Sequence, residues 1–231
     1  MPVVVIPLLS VAAVSVATAL IVGPPMKWIN DSLTNSLNSF QGGSLILLGV
    51  ILGLMQCFDL GGPVNKVAYV FATTGLANAV TSSDTPAMIM AAVMVAGMVP
   101  PLAIALATAV RPNVWTEQDR EAGKSCWLLG LSFISEGAIP FAAADPLRMI
   151  PSFMAGGAVS GGLVMAFGVG QLAPHGGIWV LPLIGHPIFF VIVLAAGMVV
   201  SAALILFTKQ LGKKPAADAV EQVAPVVAAG I

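Results

Sequence analysis

The sequence is poor in charge. Only 8% of its 231 residues are Asp, Glu, Lys or Arg, against about 25% in ordinary soluble domains. A chain that is 58% hydrophobic cannot hide that apolar surface in a water-filled environment. It also lacks any basic excess, with nine Lys and Arg against ten Asp and Glu, so it has no electrostatic footprint for nucleic acid. Cysteine is scarce too. Cys57 and Cys126 stand alone in apolar context without CxxC spacing or histidine neighbours, which excludes a recognisable metal or dithiol motif and leaves both as packing residues. No Ser, Cys or His arrangement for covalent catalysis is visible, so no catalytic residue and no cofactor is assigned.

The few charges are unevenly spread. None falls in Pro2 to Met26, Ser32 to Phe58, Thr85 to Val110 or Met149 to Thr208. Each gap accommodates a membrane span of roughly 20 apolar residues. The expected fold is therefore all-α and polytopic, with transmembrane helices and re-entrant broken-helix segments in a lipid bilayer. Val3 to Val22 reads as a first helix rather than a signal peptide, because a basic n-region is missing and the apolar run is long. It stops at Gly23-Pro24-Pro25. Lys27 to Phe40 places Ile29, Leu33, Leu37 and Phe40 on one face and suits an interfacial amphipathic helix.

Ser44 to Phe58 and Val67 to Val80 are short apolar segments, whereas Ala87 to Val110 is long enough to span and should kink at Pro100-Pro101. Six charges crowd Arg111 to Lys124, which reads as a solvated loop. Ile150 to Val169 and Ile188 to Thr208 are further spans, the former rich in glycine for close helix packing. Lys209, Lys213 and Lys214 place the C-terminus on the cytoplasmic side. The membrane domain is expected over residues 1–210, with a flexible Ala-rich tail over 211–231.

Three breaks interrupt the apolar pattern. Unwound backbone at membrane depth survives only where it is buried in protein or lines a watery cavity, and transporters place substrates at such interrupted helices. The first break carries Asp59, Asn65 and Lys66 around Gly61-Gly62-Pro63. Asn65 both donates and accepts, which suits a hydroxyl, although Asp59 and Lys66 are equally able to pair and pin the turn. The second places Glu136 before Gly137 with no cation within eight residues in sequence. Such a carboxylate is a candidate acceptor for two hydroxyls, or else a helix cap. At the third, His175 sits between Pro174 and two glycines, as a ligand group or as the partner of a nearby carbonyl. Asp145 and Arg148 read as a local ion pair, and His186 as a turn residue.

Gly61-Gly62-Pro63-Val64-Asn65-Lys66-Val67-Ala68-Tyr69, the run from Ser132 to Arg148 containing Ser135-Glu136-Gly137-Ala138-Ile139-Pro140, and Ala173-Pro174-His175-Gly176-Gly177 resemble enzyme IIC, the membrane component of fructose-type phosphotransferase systems. The resemblance extends over roughly residues 4 to 210. It implies a homodimeric permease of the bacterial inner membrane that binds fructose or a related hexose. Phosphate would arrive from a phosphocysteine on an enzyme IIB domain, charged in turn by enzyme IIA, both on other chains. Glu136 matches the family's sugar-contacting glutamate, while Asn65 and His175 lie in matching motifs. Members of this family usually carry further helices ahead of the segment resembling Val3 to Val22, so the expectation is a chain lacking those helices. The competing expectations are a non-transporting remnant or partial subunit, and an ion-coupled secondary transporter.

Overall fold

The computed structural model describes residues 45–77 and 79–211, with isolated positions among the first 28. Apart from those positions, the helix expected over Val3 to Val22, the interfacial helix over Lys27 to Phe40 and the tail beyond Leu211 lie outside the described residues. Helices dominate what is described. The only extended pairing there is an isolated antiparallel bridge between Gln171 and Ile184.

Helix α1 (Leu45–Phe58) ends where Asp59-Leu60-Gly61-Gly62 turns the chain into α2 (Pro63–Leu76). Pro63 begins α2 because a residue without an N–H costs nothing at the first helical position. Asp84 then closes the next loop. Its carboxylate accepts from the amides of Thr81 at 2.9 Å and Val80 at 2.7 Å, and these bonds hold it below the usual carboxylate range.

Helix α3 (Thr85–Val110) is apolar on every face, as a core helix must be, and packs against α1, α2 and three later helices. It runs through Pro100-Pro101 without ending. Helix α4 (Glu117–Leu131) corrects the loop expected over Arg111 to Lys124. Thr116 accepts from the Asp119 amide at 3.1 Å while the Asp119 carboxylate accepts from the Thr116 amide at 3.2 Å. That reciprocal cap satisfies two orphan donors and starts a helix in the middle of the charged run.

After a 3-10 turn over Ser135–Ala138 come the short α5 (Ile139–Ala144) and α6 (Pro146–Phe167). A longer 3-10 segment over Gly177–Leu183 precedes α7 (Pro187–Leu211). Glycines set the packing. Gly49 and Gly53 of α1 meet Gly157 and Gly161 of α6 so closely that a Cβ on Gly53 or Gly161 would fall on the facing carbonyl oxygen. Small residues spaced by four allow backbones to approach in this way in membranes. On the other side of α6, a Cβ on Gly197 of α7 would lie 2.8 Å from the Gly156 oxygen.

Three described helices are long and apolar enough to cross a membrane: α3, α6 and α7 up to Gln210. They differ in surroundings, since α3 is enclosed by the others while α7 leaves Ile188, Ile192, Val199 and Phe207 exposed. The protein is an all-α polytopic membrane protein.

Candidate functional site

The first break is built by Asp59. Its Oδ2 accepts from the Val64 amide at 2.8 Å and its Oδ1 from the Asn65 amide at 2.9 Å, so the carboxylate caps the free donors at the start of α2. The turn needs left-handed backbone at Leu60 (φ 49°) and Gly61 (φ 107°). Asn65, only 3% exposed, donates from Nδ2 to the Gln56 carbonyl oxygen at 2.6 Å. Residue 56 in the last turn of α1 is thereby tied to the first turn of α2.

The second break projects side chains toward this turn. Phe133 takes φ 62°, an uncommon conformation for a bulky residue, and its ring occupies the space that a side chain on Gly97 of α3 would fill. Ser132 is held from outside, accepting from Trp179 Nε1 at 3.0 Å. Glu136 then lies over Gly61, where a Cβ would come within 2.6 Å of Oε1. Its cation is Lys66, whose Nζ stands 4.0 Å from Oε1. The partner that no residue near Glu136 in sequence supplies comes from α2, and Lys66 pairs here instead of with Asp59. Both side chains remain wet, at 61% and 48% exposed, so the contact is a weak, screened one.

The third break brings in the aromatic wall. His175 meets Phe133 edge-on with centroids 5.1 Å apart and Tyr69 at 6.2 Å, and Tyr69 donates its hydroxyl to the Pro174 carbonyl at 3.0 Å. Gly176 and Gly177 follow with φ of 122° and 60°, and a Cβ on Gly177 would strike the Leu131 carbonyl oxygen. Glycine is therefore required for this loop to lie against the second break.

These segments enclose a cavity of about 400 Å³. Glu136, Lys66, Asn65 and His175 all line it, whereas Asp59 does not and serves the backbone of α2 instead. Sequence reasoning missed Gln56, Tyr69, Phe133 and Ser135, which also face the space. Gln56 was legible as the one amide in an apolar run, less than a turn ahead of the break. Its side-chain oxygen is buried and finds no hydrogen-bond partner among the described residues. A carboxylate, an ammonium, two amides and an imidazole beside aromatic rings bring hydrogen-bond donors and acceptors together around one space. No group of three or more metal-ligating side chains occurs among the described residues.

Other candidates fall elsewhere. Asp145 and Arg148 pair at 3.0 Å, as their spacing predicts, and His186 sits in the turn before α7 with its ring against Phe189.

The sequence profile of the family "Phosphotransferase system, EIIC" matches residues 1–156. The "PTS system fructose-specific EIIC component" of Haloferax volcanii is 47% identical over 88% of this chain and 53% of its own length. The "PTS system fructose-specific EIIABC component" of Bacillus subtilis is 44% identical over 90% of this chain and 32% of its own. In Escherichia coli the "PTS system fructose-specific EIIB'BC component" is 43% identical over 96% of this chain and 38% of its own. The chain thus spans between a third and about half of these relatives. No solved structure matches it. With a family profile covering two thirds of its residues and close relatives along nearly all of them, the chain belongs to the phosphotransferase-system EIIC family.

Proposed function

We propose that this chain is the sugar-conducting component of a phosphoenolpyruvate-dependent phosphotransferase system, and that the cavity holds fructose or a related hexose. The observation that carries the reading is convergence. Glu136, Lys66, Asn65 and His175, from three separate breaks in the helical pattern, line one cavity. Its volume of about 400 Å³ falls within the range of small-molecule sites, roughly 300–1,000 Å³. The relatives in Haloferax volcanii, Bacillus subtilis and Escherichia coli are named for the same sugar.

In this mechanism Glu136 accepts hydrogen bonds from two neighbouring sugar hydroxyls, the stronger, charge-assisted kind. Lys66 balances its charge while the cavity is empty and donates to a hydroxyl when it is full. His175, Tyr69 and Phe133 pack against the carbon face of the ring. No cysteine lines the cavity among the described residues. Phosphate comes from a phosphocysteine of an enzyme IIB domain, recharged by enzyme IIA, and passes to a sugar hydroxyl presented from the site. The protein works as a homodimer in the bacterial inner membrane.

The test is phosphoenolpyruvate-dependent phosphorylation of labelled fructose by membranes containing the protein, supplied with the general phosphotransfer proteins and enzymes IIA and IIB. Glu136→Gln should lower the rate on the order of 100-fold, because charge-assisted hydrogen bonds to the substrate are lost, while the amount of folded protein is unchanged. Normal phosphorylation by that variant would sink the assignment.

A further inference from the structure

We propose that Gln56 is a sugar ligand, reading one hydroxyl at the closed end of the cavity and thereby setting which hexose the site accepts. The proposal rests on the reading of the cavity as a sugar site.

Gln56 occupies the last turn of α1 and lines the cavity, yet it is only 1% exposed. Glu136 and Lys66 stand at the wet rim, so Gln56 marks the dry end. Its Oε1 is buried with no hydrogen-bond partner among the described residues. A buried polar atom left unsatisfied is destabilising. The neighbouring buried positions on the helix, Leu48 and Leu52, show what α1 uses where only packing matters. An apolar residue at 56 would serve the fold better, so the amide needs a partner that the described residues do not supply.

Two surrounding features keep that amide available. Asn65 bonds the backbone carbonyl of Gln56 and leaves its side chain uncommitted. Gly97 of α3 leaves room beside it, since a Cβ there would stand 3.0 Å from Gln56 Nε2 and collide with the Phe133 ring. Rotation about the last side-chain torsion exchanges Oε1 with Nε2, so the group presents either an acceptor or a donor to a hydroxyl. The rings of Phe133, Tyr69 and His175 lie against the same space. A sugar with its carbon face on those rings would then be read from two directions, by Glu136 at the rim and Gln56 inside. Sites that hydrogen-bond a particular hydroxyl reject analogues lacking it, because the protein group is left unpaired.

The experiment compares wild type and Gln56→Leu in the phosphorylation assay with fructose and the set of its monodeoxy analogues. In wild type, one analogue should suffer a KM penalty of about tenfold traceable to Gln56. In Gln56→Leu that penalty should vanish while the other penalties persist, with the KM for fructose raised about tenfold and kcat within about twofold of wild type. Thermal unfolding in detergent separates this role from a structural one. Without sugar, Gln56→Leu should unfold no lower than wild type, and the upward shift caused by fructose should shrink. An unchanged analogue profile in the variant, with wild type active, overturns the role of Gln56 alone. Wild-type membranes that phosphorylate no fructose overturn the functional reading and the role of Gln56 with it.

Discussion

Asp59 and Glu136 are both carboxylates at helix breaks, and their surroundings give them different work. Asp59 has each oxygen engaged by a backbone amide at the start of α2, whereas Glu136 faces the cavity with an ammonium 4.0 Å away. Replacing Asp59 by alanine removes two charge-assisted hydrogen bonds and should cost about 1–3 kcal/mol of stability. Asp59→Asn, which keeps an acceptor, should recover part of it. Thermal unfolding of the purified protein checks this. A sugar ligand at that position would instead show a raised KM at unchanged stability. Either role is compatible with a carboxylate beside Gly-Gly-Pro in sequence. Only the placement of the Val64 and Asn65 amides decides between them.

At the scale of elements, the contact of α1 with α6 depends on glycine in a way that can be separated from helix propensity. Gly53 packs on the backbone of Gly157, where no side chain can move aside. Gly75 in α2 meets nothing nearer to a new Cβ than Pro86 at 3.7 Å. Gly53→Ala should therefore destabilise by about 1–3 kcal/mol through overpacking. Gly75→Ala should stabilise by about 0.5–1 kcal/mol, because it lowers the entropy of the unfolded helix. Opposite shifts in unfolding temperature for the same chemical change would identify the α1–α6 crossing as the tight one. Loss of that crossing would also reach the cavity, because α1 carries Gln56 and packs on α2. The helix α4 makes a different point. Its charges read as a loop by composition, but the Thr116–Asp119 cap sets its start.

At the scale of the molecule, the described helices wrap a central one and border a polar cavity assembled from distant parts of the chain. Its two cysteines, Cys57 and Cys126, are buried at 0% and 1% exposure, so a membrane-impermeant maleimide should leave the folded wild-type protein unlabelled. A cysteine introduced by His175→Cys at the cavity wall should be labelled, and fructose should slow that labelling about tenfold at saturating concentration, in proportion to the fraction of sites left free. Labelling of His175→Cys that fructose does not slow would count against the cavity as the sugar site.

The sequence by itself determined the membrane class, the approximate extents of α3, α6 and α7, the positions of the three breaks and four of the groups that line the cavity. Those features are local: apolar length, the scarcity of charge and the inability of Pro and Gly to continue a helix act within a few residues. The tertiary structure alone decided who meets whom. It set Lys66 beside Glu136 across 70 residues of chain, turned Asp59 to the α2 backbone, joined Tyr69 to Pro174 and left the Gln56 side-chain oxygen without a hydrogen-bond partner among the described residues. Such pairings depend on how closely α1, α3 and α6 pack. That closeness follows from where glycines of different helices coincide in space, which spacing along one chain does not encode.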